Sequence, residues 1–90
     1  MNKHLNIIAH GKVQGVGFRD YVKSTAEELG VTGFVKNEED GTVYIEAEAD
    51  RDTLSELLGA IEKGPDTAEV EKVDKFQKGL QHFSGFEIKQ

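Results

Sequence analysis

The stretch of the chain best suited to chemistry is a glycine-rich segment that ends in an arginine. It consists of Gln14, Gly15, Val16, Gly17, Phe18 and Arg19. Glycines let backbone N–H groups converge on one point without interference from a Cβ atom. An arginine guanidinium next to such amides adds a planar fork of donors suited to a phosphate or a carboxylate. The segment therefore predicts an anion site made of backbone amides and the side chain of Arg19.

Two common glycine motifs are excluded by the spacing of this segment. No window of the chain matches the nucleotide-binding loop pattern GxxxxGK followed by Ser or Thr. The dinucleotide pattern GxGxxG fails because Asp20 stands where its third glycine would be. On local context alone, a tight strand-to-helix turn with a surface arginine explains the segment as well as an anion site does.

Other residue types that support catalysis or metal binding are sparse. Cysteine is absent, which excludes disulfides and thiol catalysis and favours a reducing, cytoplasmic compartment. His4 and His10 lie on the same strand face but about 20 Å apart, and His82 falls in a loop near the C-terminus. We expect all three histidines to be surface residues, and we predict no metal site because no ligand set has the required spacing.

The composition is that of a small globular protein. Of the 90 residues, 37% are hydrophobic and 31% are charged, which predicts one domain over residues 1–90 with a modest core. The net charge of −6 disfavours nucleic acid or an anionic membrane as a partner. No apolar run approaches the about 20 residues of a membrane span, and no signal peptide is visible.

Hydrophobic periodicity predicts the elements that must position the anion site. Alternation predicts strands over residues 3–13, 31–36, 43–50 and 67–76, the last with a bulge, and a short strand at Phe86 and Ile88. Helical spacing predicts two helices, with apolar positions at Phe18, Val22, Ala26 and Leu29 and at Leu54, Leu57, Leu58 and Ile61. Phe18, Phe34, Phe76 and Phe86 are expected to pack in the core.

The order of these elements predicts an α+β fold of the ferredoxin-like βαββαβ type. We expect a four-stranded antiparallel sheet, a short additional C-terminal strand and two helices on one face. The first two strands run parallel with the third between them, so their C-terminal ends lie at one edge, about 10 Å apart. Arg19 follows the first end and Asn37 lies at the second, so a small phosphorylated molecule could contact both.

Three segments together resemble the acylphosphatase family. They are residues 11–22 (GKVQGVGFRDYV), residues 33–37 (GFVKN) and residues 40–43 (DGTV). The resemblance covers nearly the whole chain and implies the ferredoxin-like fold. It also implies hydrolysis of acyl phosphates to a carboxylate and inorganic phosphate without a metal or other cofactor. Inorganic phosphate is then both product and competitive inhibitor. We expect a cytoplasmic protein because cysteine is absent, and a monomer because the chain is short and one face of its sheet is acidic.

The resemblance also implies roles for individual residues. The loop from Gln14 to Phe18 and the Arg19 backbone would hold the phosphoryl group, and the Arg19 guanidinium would neutralise it. Asn37 would hold the attacking water, and Thr42 would support Asn37. The acidic pair at residues 38 and 39 is the feature expected to alter substrate preference.

The alternative is a non-catalytic ferredoxin-like module that binds a small ligand or RNA. The segment GVGFRDY is similar to the aromatic signature of RNA-recognition motifs, but that signature lies on a central strand. Here it spans a loop and a helix start, and the third strand offers only Tyr44 among Glu46 and Glu48. A metal carrier of this fold would need a CxxC pair, which the chain lacks.

Overall fold

A computed structural model describes residues 1–90 as five strands and two helices in one sandwich. In chain order they are β1 (Asn2–Lys12), α1 (Phe18–Leu29), β2 (Thr32–Asn37), β3 (Val43–Asp50), α2 (Arg51–Lys63), β4 (Glu69–Lys78) and β5 (Phe86–Lys89). The sheet order is β4-β1-β3-β2-β5. β5 pairs parallel with β2, and all other neighbours are antiparallel. The predicted ferredoxin-like α+β fold is confirmed, with β5 as a fifth strand.

The core lies between the two helices and one face of the sheet. Ile7 of β1 is paired with Ile45 of β3, and both side chains are fully buried. Burying one such side chain stabilises the fold by about 1.5–3 kcal/mol. Phe18 and Phe86 also lie in this core, as predicted. Neither helix is long and apolar enough to cross a membrane.

A bulge in β4 explains why one expected core residue is exposed. His10 is paired with Lys72 but Gly11 with Val70, so Glu71 has no partner across the ladder. Val73 packs against the core after this bulge. Phe76 lies three positions further on, which puts it on the opposite face, and it is 55% exposed. The expectation that Phe76 belongs to the core is therefore wrong.

The face of the sheet away from the helices contains a buried histidine. His4 is fully buried, with Nδ1 2.8 Å from the Gly79 carbonyl oxygen and Nε2 2.9 Å from Oε1 of Glu46. The prediction of a surface position is wrong for His4, because the segment between β4 and β5 folds over this face. His10 is half-buried against Asp74, and His82 is exposed.

The segment that covers His4 is attached to the sheet through Glu48. The Glu48 carboxylate accepts hydrogen bonds from the backbone N–H groups of Gln81 and Phe83. Burial alone would raise the pKa of Glu48, but these amides and His4 outweigh it and hold the pKa below its usual range.

Phe34, expected in the core, instead packs on this outer face against Phe83. Sheet alternation explains the difference, since its neighbour Val35 is the residue that faces the core.

Candidate active site

The loop between β1 and α1 depends on two glycines in the left-handed region. Gly15 has φ 72° and Gly17, the N-cap of α1, has φ 77°. A Cβ atom built at either position would meet nothing within 4 Å. Glycine is therefore favoured here by the backbone conformation rather than by lack of space.

This loop leaves the N-terminus of α1 without a side-chain cap. No side chain accepts a hydrogen bond there, and the first backbone bond runs from the Tyr21 N–H to the Gly17 carbonyl at 3.1 Å. The N–H groups of Phe18, Arg19 and Asp20 therefore have no acceptor within the chain. Unpaired amides and the partial positive charge of a helix N-terminus together favour an anion.

The uncapped helix end opens onto a cavity of about 250 Å³. The lining residues are Val13, Gly15, Gly17, Phe18, Arg19, Asp20, Asn37, Ile88 and Gln90. Arg19 and Asn37 thus reach one cavity from two different strand ends. The guanidinium of Arg19 takes part in none of the chain's ion pairs. Asp20 adds a carboxylate to the same lining.

Asn37 lines this cavity and has an unpaired side-chain acceptor. It is the last residue of β2 and is paired with Val43 in the sheet. Its side-chain Oδ1 is buried and has no hydrogen-bond partner. Leaving a buried polar group unpaired costs about 1–3 kcal/mol, so this oxygen is suited to a hydrogen bond from a bound molecule.

Gln14 and Val16, two of the residues predicted to bind phosphate, do not line the cavity with their neighbours. Nε2 of Gln14 donates to the carbonyl oxygens of Glu38, at 2.7 Å, and Thr42, at 2.9 Å. Val16 packs against the core, and its carbonyl accepts a hydrogen bond from the Thr67 hydroxyl at 2.6 Å. Both residues hold the loop in place through contacts on the side away from the cavity.

Thr42 is likewise not in hydrogen-bond contact with Asn37. Its hydroxyl donates to Oδ1 of Asp40 at 2.6 Å, and its N–H donates to the same oxygen at 2.9 Å. These bonds lower the pKa of Asp40 below its usual range. Any support that Thr42 gives Asn37 therefore passes through the turn between β2 and β3.

The acidic residues after Asn37 lie away from the Arg19 cavity. Glu38 and Glu39 line a separate groove together with His10, Asp40 and Tyr44. No cluster of three or more His, Cys, Asp or Glu side chains has an arrangement that could hold a metal ion.

Ile88 and Gln90 also line the cavity, and the sequence pattern does not indicate this. They reach the cavity because β5 pairs parallel with β2, with Ile88 opposite Val35. A parallel pairing between strands this distant in sequence has no local signal, so only the short apolar pattern of β5 itself could be recognised.

The comparison with known proteins identifies the family. The sequence signature named Acylphosphatase matches residues 5–88. The chain belongs to the acylphosphatase family. The acylphosphatase of Salinibacter ruber is 46% identical over 88% of this chain and 84% of its own length. That of Archaeoglobus fulgidus is 42% identical over 93% and 94%.

Solved acylphosphatase structures agree with the same assignment. The crystal structure of the acylphosphatase from Bacillus subtilis matches with a TM-score of 0.95 and 33% identity over 100% of both chains. The acylphosphatase from Coxiella burnetii matches with a TM-score of 0.94 and 35% identity over 98% of this chain and 93% of its own. The resemblance to acylphosphatases seen in the sequence is confirmed. The signature extends over both walls of the cavity, since Arg19 and Asn37 both lie within residues 5–88.

Proposed function

We propose that this acylphosphatase hydrolyses the carboxyl–phosphate bond of acyl phosphates in the cavity between Arg19 and Asn37. One observation supports this assignment of the site above all others. Residues 18–20, which have free backbone amides and the Arg19 guanidinium, line one cavity together with Asn37, whose Oδ1 has no hydrogen-bond partner. A phosphoryl group and a water molecule are the two partners that such a site requires.

The donors are suited to the phosphoryl group. Phosphoryl transfer depends mainly on positioning and on stabilising the equatorial oxygens of the transferred group. The free amides at the start of α1 are fixed by the helix, so they need no reorganisation to bind these oxygens. The Arg19 guanidinium adds charge-assisted hydrogen bonds of about 1.5–3 kcal/mol each.

Asn37 is suited to hold the attacking water. Its Oδ1 accepts a hydrogen bond from the water, which leaves a lone pair of the water oxygen free to attack phosphorus. The new P–O bond forms as the P–O bond to the acyl group breaks, and the carboxylate leaves with the electron pair. The water proton passes to a phosphate oxygen. A carboxylate leaves without protonation, so these steps use no general acid, metal or cofactor.

A hydrolysis assay with purified protein in buffer containing a chelator tests this function. We expect inorganic phosphate to be released from benzoyl phosphate or acetyl phosphate, whereas glycerol phosphate, an alkyl monoester, should be left intact. Efficient turnover of the monoester would contradict the mechanism, because an alkoxide leaving group needs an acid that the proposed steps lack.

The Asn37→Ala variant tests the division of roles inside the cavity. Loss of a positioned hydrogen-bonding group should lower kcat by about 10²–10³-fold. Competitive inhibition by inorganic phosphate should persist, since the amides and Arg19 are unchanged. Asn37→Asp should fail as well, because its carboxylate would repel the anionic substrate. If phosphate inhibition disappears together with turnover, Asn37 binds phosphate rather than water.

We also propose that the enzyme is a monomer that acts in the cytoplasm, with no nucleic acid or membrane partner. Sedimentation at assay concentration and fractionation of cells test these points. The alternative of an RNA-binding module gains no support, because the face on which bases would stack has Glu46 and Glu48 hydrogen-bonded to other groups of the chain.

A further inference from the structure

The two walls of the cavity belong to parts of the chain that are not neighbours in the sheet. The amides and Arg19 follow β1, Asn37 ends β2, and β3 lies between these strands. The ladder between β1 and β3 ends at the pair Ala9 and Val43. Beyond that pair, the strand ladders do not fix the loop at residues 13–17 relative to the turn that follows Asn37.

Gln14 is the link between these two parts. Its Nε2 donates to the carbonyl oxygens of Glu38 and Thr42 at 2.7 and 2.9 Å, so both protons of the amide are used. These two residues close the turn after Asn37, since the Glu38 N–H also donates to the Thr42 carbonyl at 2.9 Å. No other hydrogen bond joins residues 13–17 to this turn. Gln14 itself does not line the cavity.

We propose that Gln14 is a positioning residue for the hydrolysis: it fixes the distance between the phosphoryl-binding amides and Asn37. This inference rests on the proposed function, in which those amides bind phosphorus oxygens and Asn37 orients the water. An amide is the side chain required here, because it donates two hydrogen bonds without a charge. Misplacement of reacting groups by about 1 Å can lower a rate by about 100-fold. The hydrogen bonds of Gln14 therefore affect the alignment of the water with the phosphoryl group rather than the binding of phosphate.

The role predicts a separation between turnover and phosphate affinity. Gln14→Met keeps the length of the side chain and removes both donors. We expect kcat for benzoyl phosphate to fall by about 10–100-fold. The inhibition constant of inorganic phosphate should change by less than about threefold, because phosphate needs only the amides and Arg19. Gln77→Met, the same exchange on the exposed part of β4, is the matched control and should leave kcat and the inhibition constant unchanged.

A second variant supplies a readout that a merely structural residue would not change. In Gln14→Glu the ionised carboxylate faces two carbonyl oxygens and repels them, whereas the protonated acid donates to one of them. The ratio of kcat in Gln14→Glu to kcat in the wild type should therefore rise as the pH falls. The same ratio for Gln14→Met should be independent of pH.

The outcomes separate this inference from the function on which it rests. An inactive wild type would overturn the proposed function. An active wild type with unchanged kcat in Gln14→Met would overturn only the role of Gln14. Parallel loss of kcat and phosphate inhibition in Gln14→Met, with an unchanged circular dichroism spectrum and thermal transition, would also overturn it, because Gln14 would then act on phosphoryl binding itself.

Discussion

Both helices have an Arg–Asp pair in the first turn, but their N-termini are capped differently. Arg19 and Asp20 occupy the first turn of α1, and Arg51 and Asp52 occupy that of α2. In α2 the N-cap is Asp50, in an extended conformation, and its side chain accepts a hydrogen bond from the Thr53 N–H at 2.8 Å. In α1 the N-cap is a left-handed glycine with no side chain to offer.

The two helix ends serve different purposes. The hydrogen bond from the Thr53 N–H is the main cause that lowers the pKa of Asp50 below its usual range, so the end of α2 already stabilises a negative charge of the chain itself. The end of α1 has the same kind of amides and leaves them for an external anion. One helix end contributes to stability, whereas the other is available for binding.

The largest expected effect comes from replacing the arginine in the first turn of each helix, one at a time. Arg19→Ala should lower kcat/KM by at least about 1,000-fold, because it removes charge-assisted bonds to the transferred group. Inhibition by inorganic phosphate should weaken strongly, and Arg19→Lys should recover little because lysine lacks the planar fork. Arg51→Ala makes the same change at the capped helix and should leave steady-state kinetics unchanged. Equal losses of kcat/KM in the two variants, or unchanged phosphate inhibition in Arg19→Ala, would contradict the claim that only the open end of α1 binds the anion.

A second variant transfers the capping residue type of α2 to the open end of α1. Gly17→Asp introduces a carboxylate beside the free amides, and it should lower kcat/KM by about 100-fold through repulsion of the substrate. Left-handed backbone at a non-glycine residue also costs about 1–2 kcal/mol of stability. Gly17→Ala has the same backbone cost without the charge. A loss of activity in Gly17→Ala as large as that in Gly17→Asp would show that strain, not charge, is responsible.

The reciprocal change opens the end of α2. Asp50→Ala removes the cap, and thermal unfolding should show the Tm lowered by roughly 5 °C. Activity at 25 °C should stay at the wild-type level, since α2 does not line the cavity. A change in kcat/KM at that temperature would mean that the two helix ends are coupled.

The smallest expected effect is a dependence of stability on pH. The lowered pKa of Asp50 means that its carboxylate stabilises the folded chain above the pKa of the unfolded state. This contribution is lost as the pH falls through the pKa of the folded state. Asn caps a helix without titrating, so Asp50→Asn should lose slightly less Tm than the wild type between pH 7 and pH 3. Identical losses would contradict an ionised cap.

The sequence was sufficient for the fold because its helices and strands have clear periodicities. The apolar stripe from Phe18 and the stop at Gly30 predicted α1, and the parallel arrangement of β1 and β2 predicted that Arg19 and Asn37 would approach each other. Both are consequences of local pattern and simple topology. The pattern also predicts the bulge in β4, but the expected core position of Phe76 is wrong because Phe76 lies on the opposite face from Val73.

Other features depend on contacts that no local pattern reports. His4 is buried by the segment that includes Gly79, which is far from it in the sequence. Its environment therefore depends on the path of the chain between β4 and β5. The motif around Gln14 indicated a loop, but not that its side chain turns away from the cavity towards Glu38. Side-chain direction in a loop depends on which carbonyl groups the neighbouring turn leaves free.

The central position of β3 has a consequence for how activity appears during folding. Asn2 of β1 pairs with Asp50 of β3, and Asn37 of β2 pairs with Val43 of the same strand. Asn37 and Val43 pair across a short turn, whereas the pairing of β1 with β3 is non-local and forms slowly because a long loop must close first. Arg19 and Asn37 come together only after β3 has paired on both of its sides. A partly folded chain therefore has no complete site, and recovered turnover reports the insertion of this one strand.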